Sequence, residues 1–318
     1  MRPAPITRRD FLVGVGASVG AGLVAAACSK GSPAPTPPGS ASLSSMKSGA
    51  TELSLLSTGS PQKPGPAYFG FGLVTNQGRV VTGGSPQVWL AKDMTSKPTG
   101  PFAGTWFPFA PASDFNDTAP RSALPGNYAA TIEVPGVGNW LVGVTLSQGS
   151  QRFFGQAALQ GTDQKIPAEL GSKAISVKTP VAHTLAGLKQ ICTRPPPDPM
   201  HYISLDKALT TGKPTVVTFA TPLLCESMLC GPVVDEELLV YQKLGASKAN
   251  FIHVEEFLPG PDLTPPPATL ENQSPAFKAW GFQTEPWTIV IDGMGIIRAR
   301  IEGPVTAPQI EAALHPLL

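Results

Sequence analysis

The chain has 318 residues, 42% of them hydrophobic, and carries 23 Lys and Arg against 22 Asp and Glu, a formal net charge of +1. With charges this nearly balanced and no long basic block, there is no electrostatic case for a nucleic-acid partner. Beyond residue 50 the chain is too long for one small core and long enough for two.

Residues 1–28 read as an export signal. Arg8 and Arg9 precede an uncharged run of small and apolar residues, Phe11 to Ala27, which ends at Cys28 after three alanines. The pattern resembles a twin-arginine signal closed by a lipoprotein processing site. A run this short and rich in Gly and Ala suits a cleaved segment better than a spanning helix. The expectation is lipidation at Cys28 and an extracytoplasmic, membrane-anchored protein that touches the bilayer through the lipid alone. Disulfides persist in that compartment. Three thiols then remain, Cys192, Cys225 and Cys230. An odd number cannot all pair within one chain. Residues 29–50, rich in Ser, Pro and Gly, read as a disordered tether.

From residue 51 to 160 the chain is written as short β runs broken by Gly, Pro, Asn and Asp: TELSLLSTG, AYFGFGLVT, QVWLAKD, GTWFPFAP, YAATIEVPG, NWLVGVTLS and RFFGQAALQ. Seven such runs without a helical period between them predict an all-β, immunoglobulin-like sandwich. No cysteine lies in this stretch, so its core rests on packing, with Tyr128 and Trp140 read as core residues. The sandwich is expected to act as a spacer or a docking surface. Residues 161–183, interrupted by Pro and Gly, read as a linker.

Over residues 184–318 the grammar changes. A helix cue stands at Ser204, and Thr215 to Phe219 is a β-branched strand. PVVDEELLVYQKLG places Val234, Leu238 and Tyr241 on one helical face and stops at Gly245. Then follow a strand in NFIHVEEF, a helix in SPAFKAWGF, strands in WTIVID and GIIRARIEG, and a terminal helix in TAPQIEAALHPLL. This order predicts an α/β domain.

The segment VVTFATPLLCESMLCGPVVDEEL, followed far downstream by WGFQTEPWTIVIDGMG, resembles the thioredoxin superfamily. The resemblance implies an α/β thioredoxin-like domain with a redox pair where the first central strand meets its helix. Cys225 would be the entering thiol, Cys230 the resolving one, and Pro286 a cis-proline that packs against them, with Glu285 presenting its backbone to an extended substrate strand. Unpaired N–H groups and the dipole at a helix N-terminus favour a thiolate, which makes a cysteine there both nucleophile and leaving group. The implied activity is thiol-disulfide exchange with the cysteines of client proteins, with no cofactor.

Two features depart from that family. Four residues separate the cysteines instead of two, and positions i and i+5 of a helix point about 140° apart, so Cys225 must precede the helix or oxidation must unwind its first turn. Thr218 and Phe219 stand where thioredoxins bury an aspartate. Glu255 or Glu256 is a substitute, each otherwise a solvated strand-end charge. Glu226, between the cysteines, disfavours a thiolate beside it.

Rival readings remain open at this level. A peroxiredoxin-like peroxidase is suggested by ATPLLC, but Thr221 stands one position too far from Cys225, and QTEPW replaces the expected arginine. A copper chaperone would add His253 to the cysteine pair. His253 and His201 are otherwise packed, hydrogen-bonded side chains, and no metal ligand set is assigned. A structural staple, or a non-catalytic adhesin-like lipoprotein, would leave the pair inert. Cys192 reads as a buried free thiol or a third exchange partner.

Overall fold

The computed structural model describes residues 41–115, 124–225, 229–258 and 270–318. The export signal, Cys28, the tether up to residue 40 and Glu226 lie outside the described residues. Residues 41–50 carry a short helix, α1 (Leu43–Lys47), whose N-cap Ser42 accepts the Ser45 N–H.

Seven strands follow: β1 (Thr51–Ser57), β2 (Gly65–Val74), β3 (Gln87–Ala91), β4 (Thr99–Pro108), β5 (Gly126–Val134), β6 (Gly138–Gln148) and β7 (Gln151–Gly161). Side chains two apart, such as Phe69, Phe71 and Leu73, or Val142, Val144 and Leu146, point to one interior. Phe71 stacks between Phe69 and Tyr128, with ring centroids 5.3 and 5.4 Å away. The strands pair in the order β1-β2-β5-β4-β3-β6-β7, and β1 then runs parallel to β7, Thr51 opposite Phe153. That last pairing closes the sheet into a barrel with no free edge.

Four further strands form a second sheet in the order β11-β10-β8-β9: β8 (Thr215–Phe219), β9 (Asn250–Val254), β10 (Trp287–Ile291) and β11 (Ile297–Glu302). β8 and β9 are parallel; β10 is antiparallel to β8 and to β11. Every residue of β8, β9 and β10 is buried, so both faces are covered. Val216, Phe251 and Val290 pack with α4 (Cys230–Leu244) and α6 (Ala307–Leu314). Val217, Ile252 and Ile289 pack with Leu205 and Ala208 of α3 (Leu205–Ala208) and with Phe277 and Trp280 of α5 (Pro275–Trp280). One more short helix, α2 (Leu185–Leu188), begins the approach to this sheet.

The expected fold class, an immunoglobulin-like sandwich followed by an α/β thioredoxin-like domain, is corrected by these findings. The seven strands that the sequence marks are present, but they form one closed barrel, not two stacked sheets. Closure depends on β1 meeting β7, residues about a hundred positions apart whose local pattern is that of any strand. The described chain is mostly β, and its helices, α4 apart, have eight residues or fewer. Punctuation keeps them short: Pro275 opens α5 and Gly281, at φ 73°, ends it six residues later.

Residues Ser40–Leu318 form one compact unit. Residues 161–183 run along both sheets: Thr162 N–H donates to Gln62 O, Gly171 N–H to Ile297 O and Ala174 N–H to Gly295 O. The buried Glu236 of α4 accepts the Ala110 N–H, just past β4, with one oxygen and the Ala307 N–H of α6 with the other, both at 2.6 Å. Among the described residues no helix is long and apolar enough to cross a membrane.

Candidate functional site

Helix α4 starts at Cys230 because Pro232 is tolerated in a first turn, and it stops after fifteen residues at Gly245, φ 72°. The N–H of Cys230 is the first of the helix and has no carbonyl within it to bond. It donates to Cys225 Sγ at 3.2 Å. Cys225 therefore lies ahead of the helix, in the loop that leaves β8, half-buried, and Cys230 is fully buried. The two are not joined in a disulfide, and their sulfurs and a Glu285 carboxylate oxygen all lie within 4.8 Å of one another.

Glu285 enters this group from the turn before β10, through a cis Glu285–Pro286 bond, with Pro286 buried and its carbonyl accepting the Gly303 N–H. Its side chain, not its backbone alone, faces the cysteines. Burial first, then the charges of Glu256 and Cys225, push the Glu285 carboxyl up to about 9. Glu256 hydrogen-bonds Glu285, accepts from Gln273 Nε2 at 2.8 Å, and is also raised, mainly by burial. Burial, followed by the Cys225 hydrogen bond and the Glu285 charge, holds the Cys230 thiol well above its usual value. The arrangement is a half-buried sulfur fed by a helix N–H, a deeply buried sulfur beside it, and two carboxyls that burial holds above the ordinary carboxylate range.

Beneath the Cys225 loop lies a second polar group. His253 of β9 donates from Nε2 to Ala220 O at 3.0 Å and turns Nδ1 to Asp198 Oδ2 at 2.8 Å. Cys192 Sγ lies 3.2 Å from the same Asp198 oxygen, and His201 Nε2 lies 3.9 Å from it. All four side chains are buried. Burial pulls the His253 imidazole down, but Asp198 and Glu255 outweigh it, so it stands well above its ordinary value. Burial drives His201 down to about 4 and raises the Cys192 thiol to about 12. Glu255 accepts the Thr193 N–H at 2.6 Å and its hydroxyl at 3.0 Å, while Thr193 Oγ1 accepts the Leu223 N–H at 3.2 Å. Thr221 Oγ1 accepts the N–H groups of Glu256 and Phe257. The loop that carries Cys225 is thus tied from below.

Three readings from sequence are adjusted here. Glu255 and Glu256 are buried, 2% and 8% exposed, and are not solvated strand-end charges. His253 belongs with Cys192, Asp198 and His201, not with the Cys225–Cys230 pair. The Glu285 side chain was overlooked as a member of the pair's surroundings. A usable signal was present in NFIHVEEF: one His and two Glu within an apolar run are anomalous in a buried strand, because such groups go inside only with partners.

No family model matches this chain, and no curated protein matches it. Among solved structures it is similar to a thiol:disulfide interchange protein of the thioredoxin family from Chlorobium tepidum TLS, at 17% identity and TM-score 0.26, over 45% of this chain and 99% of that one. It is also similar to the human F-spondin reeler domain (fragment 1), at 15% identity and TM-score 0.18, over 36% of this chain and 91% of that one. Neither score is high enough to assign a shared fold or an activity to this chain.

Proposed function

We propose that the protein performs thiol-disulfide exchange with protein cysteines through Cys225 and Cys230. The observation that carries this reading is the 3.2 Å contact from the Cys230 N–H to Cys225 Sγ, with the second sulfur within 4.8 Å. A helix N–H aimed at a sulfur favours its thiolate, the form that attacks disulfides.

In the reducing direction Cys225 thiolate attacks one sulfur of a client cystine, forming a mixed disulfide and releasing the client's other sulfur as a thiolate, which takes the proton of Glu285 and leaves that side chain a carboxylate. Cys230 then attacks Cys225 Sγ; its proton passes to Glu285, the Cys225–Cys230 disulfide forms, and the second client sulfur leaves. The client gains two electrons and the pair loses two. The reverse sequence oxidises a client dithiol. Formation of the mixed disulfide removes the negative charge at Cys225 that helps to raise Glu285, so Glu285 becomes a better home for a negative charge at the step where Cys230 must give up its proton. Glu285 and Pro286, at the turn beside the pair, are the proposed contacts for an extended client segment.

The amino-terminal pattern adds a location to this reading: transport by the twin-arginine route and lipid attachment at Cys28 would set the pair on the outer face of the membrane. The test is an insulin or scrambled-ribonuclease exchange assay on the full chain. Cys225→Ser is expected to lose exchange entirely and Cys230→Ser to accumulate mixed disulfides with clients. Unchanged exchange in Cys225→Ser overturns the proposal.

A further inference from the structure

We propose that Cys192, Asp198, His201 and His253 form a structural zinc site beneath the Cys225 loop. The four donor atoms come from two segments, residues 192–201 and β9, and all lie within 4.8 Å of one another. Zinc bonds of about 2.0–2.3 Å in a tetrahedron set their donors about 3.3–3.8 Å apart. Cys192 Sγ lies 3.8 Å from His253 Nδ1 and 3.2 Å from Asp198 Oδ2, and His201 Nε2 lies 3.9 Å from that same oxygen. The 2.8 Å contact between His253 Nδ1 and Asp198 Oδ2 has to open to admit the ion.

Two further observations point to a ligand. His201 Nε2 is buried, in a residue 2% exposed, and has no hydrogen-bond partner among the described residues. A polar atom left this way is costly, and a metal would satisfy it. His253 spends its other nitrogen, Nε2, on the Ala220 carbonyl, which can only accept. That bond fixes a proton on Nε2, so a metal that displaces the proton on Nδ1 finds that nitrogen already aimed at the group, the arrangement in which a backbone carbonyl orients a ligating histidine. The charges also close: one thiolate and one carboxylate balance Zn²⁺ between two neutral imidazoles, so the buried group is neutral. One thiolate, two imidazoles and one carboxylate suit zinc better than Cu(I), which prefers sulfur.

The site would bind residues 192–201 to β9, and through Thr193 and Leu223 would steady the loop that leads to Cys225. It does not depend on the exchange activity of the Cys225–Cys230 pair. The full chain, produced in zinc-supplemented medium, is expected to carry about one zinc per molecule by elemental analysis. Cobalt in its place should give the d–d bands of a tetrahedral site and a thiolate-to-cobalt charge-transfer band. Cys192→Ser should lose that band while circular dichroism stays native. The double variant Cys225→Ser/Cys230→Ser should keep both zinc and band, which separates this group from the other cysteines. A wild-type chain that purifies without zinc and takes up none on refolding with it overturns the proposal. So does zinc that leaves with Cys225 and Cys230 and remains in Cys192→Ser.

Discussion

The barrel and the four-stranded sheet are built from similar strands but filled differently. Among the described residues up to 163, no acid or base is buried; the barrel interior is aliphatic and aromatic, and its buried Tyr128 hydroxyl is satisfied by Gly83 O at 2.7 Å. Around the second sheet Asp198, His201, Glu237, His253, Glu255 and Glu256 are all buried. An apolar interior is stable through area removed from water, whereas buried ionisable groups are costly unless partnered. The difference locates chemistry: the barrel pairs with itself, and the second sheet holds groups whose protonation and bonding can change.

The comparison is broken most severely at the cysteines. Cys225→Ser should abolish exchange and shift the melting temperature little, since a half-buried sulfur is replaced by a slightly smaller atom; thermal melting beside the exchange assay checks this. Conversely, Phe71→Ala in the barrel should cost about 3–5 kcal/mol of stability in chemical denaturation while exchange per folded molecule is kept. Loss of activity without unfolding in that variant would end the division of labour between the two regions.

Glu285→Gln sharpens the contrast at the level of rate. Removing the proton acceptor for Cys230 should slow resolution of the mixed disulfide by about 10²–10⁴-fold and leave its formation nearly unchanged, as rapid-quench trapping would measure. Glu237 supplies a pH signature. Burial raises its carboxyl to about 8, above its unfolded value, so the folded state binds a proton that the unfolded state has lost between those two values. Stability is therefore fully present below the unfolded pKa and falls as pH rises through about 8, by up to a few kcal/mol. Glu237→Gln should flatten that fall between pH 6 and 9 in urea titrations, and a barrel variant such as Phe71→Ala should not. The smallest effect is expected at Glu236. In Glu236→Gln one oxygen no longer accepts, and either the Ala110 or the Ala307 N–H loses its partner, a cost of about 1–3 kcal/mol in the same titration.

Much of the secondary structure was legible locally. The strand at Thr215 to Phe219 coincides with β8, and the apolar face of Val234 and Leu238 is the buried face of α4. Short β runs set off by Gly, Pro, Asn and Asp mark all seven barrel strands, because such punctuation is a property of neighbours. Closure by β1 on β7 is not such a property, nor is the gathering of Cys192, Asp198, His201 and His253, and these were not readable one residue at a time. The cysteine pair was visible by its place between a strand and a helix. Glu285 was noticed only for the proline after it, since the direction of its side chain depends on how β10 pairs with β8. The helix content expected for an α/β domain is not reached for a local reason: Pro and Gly cut most helices among the described residues to one or two turns.

Glu236 has a consequence for motion. It lies six residues along α4 from Cys230, about 9 Å down the axis, and its two oxygens fasten the helix to the end of a barrel strand on one side and to the start of α6 on the other. The helix that presents the buried sulfur is therefore moored at its midpoint. Any pull on the barrel, or any sliding of α4 as the sulfurs approach and separate, is felt at that carboxylate, which makes it the mooring of this helix among the contacts that join the two halves of the molecule.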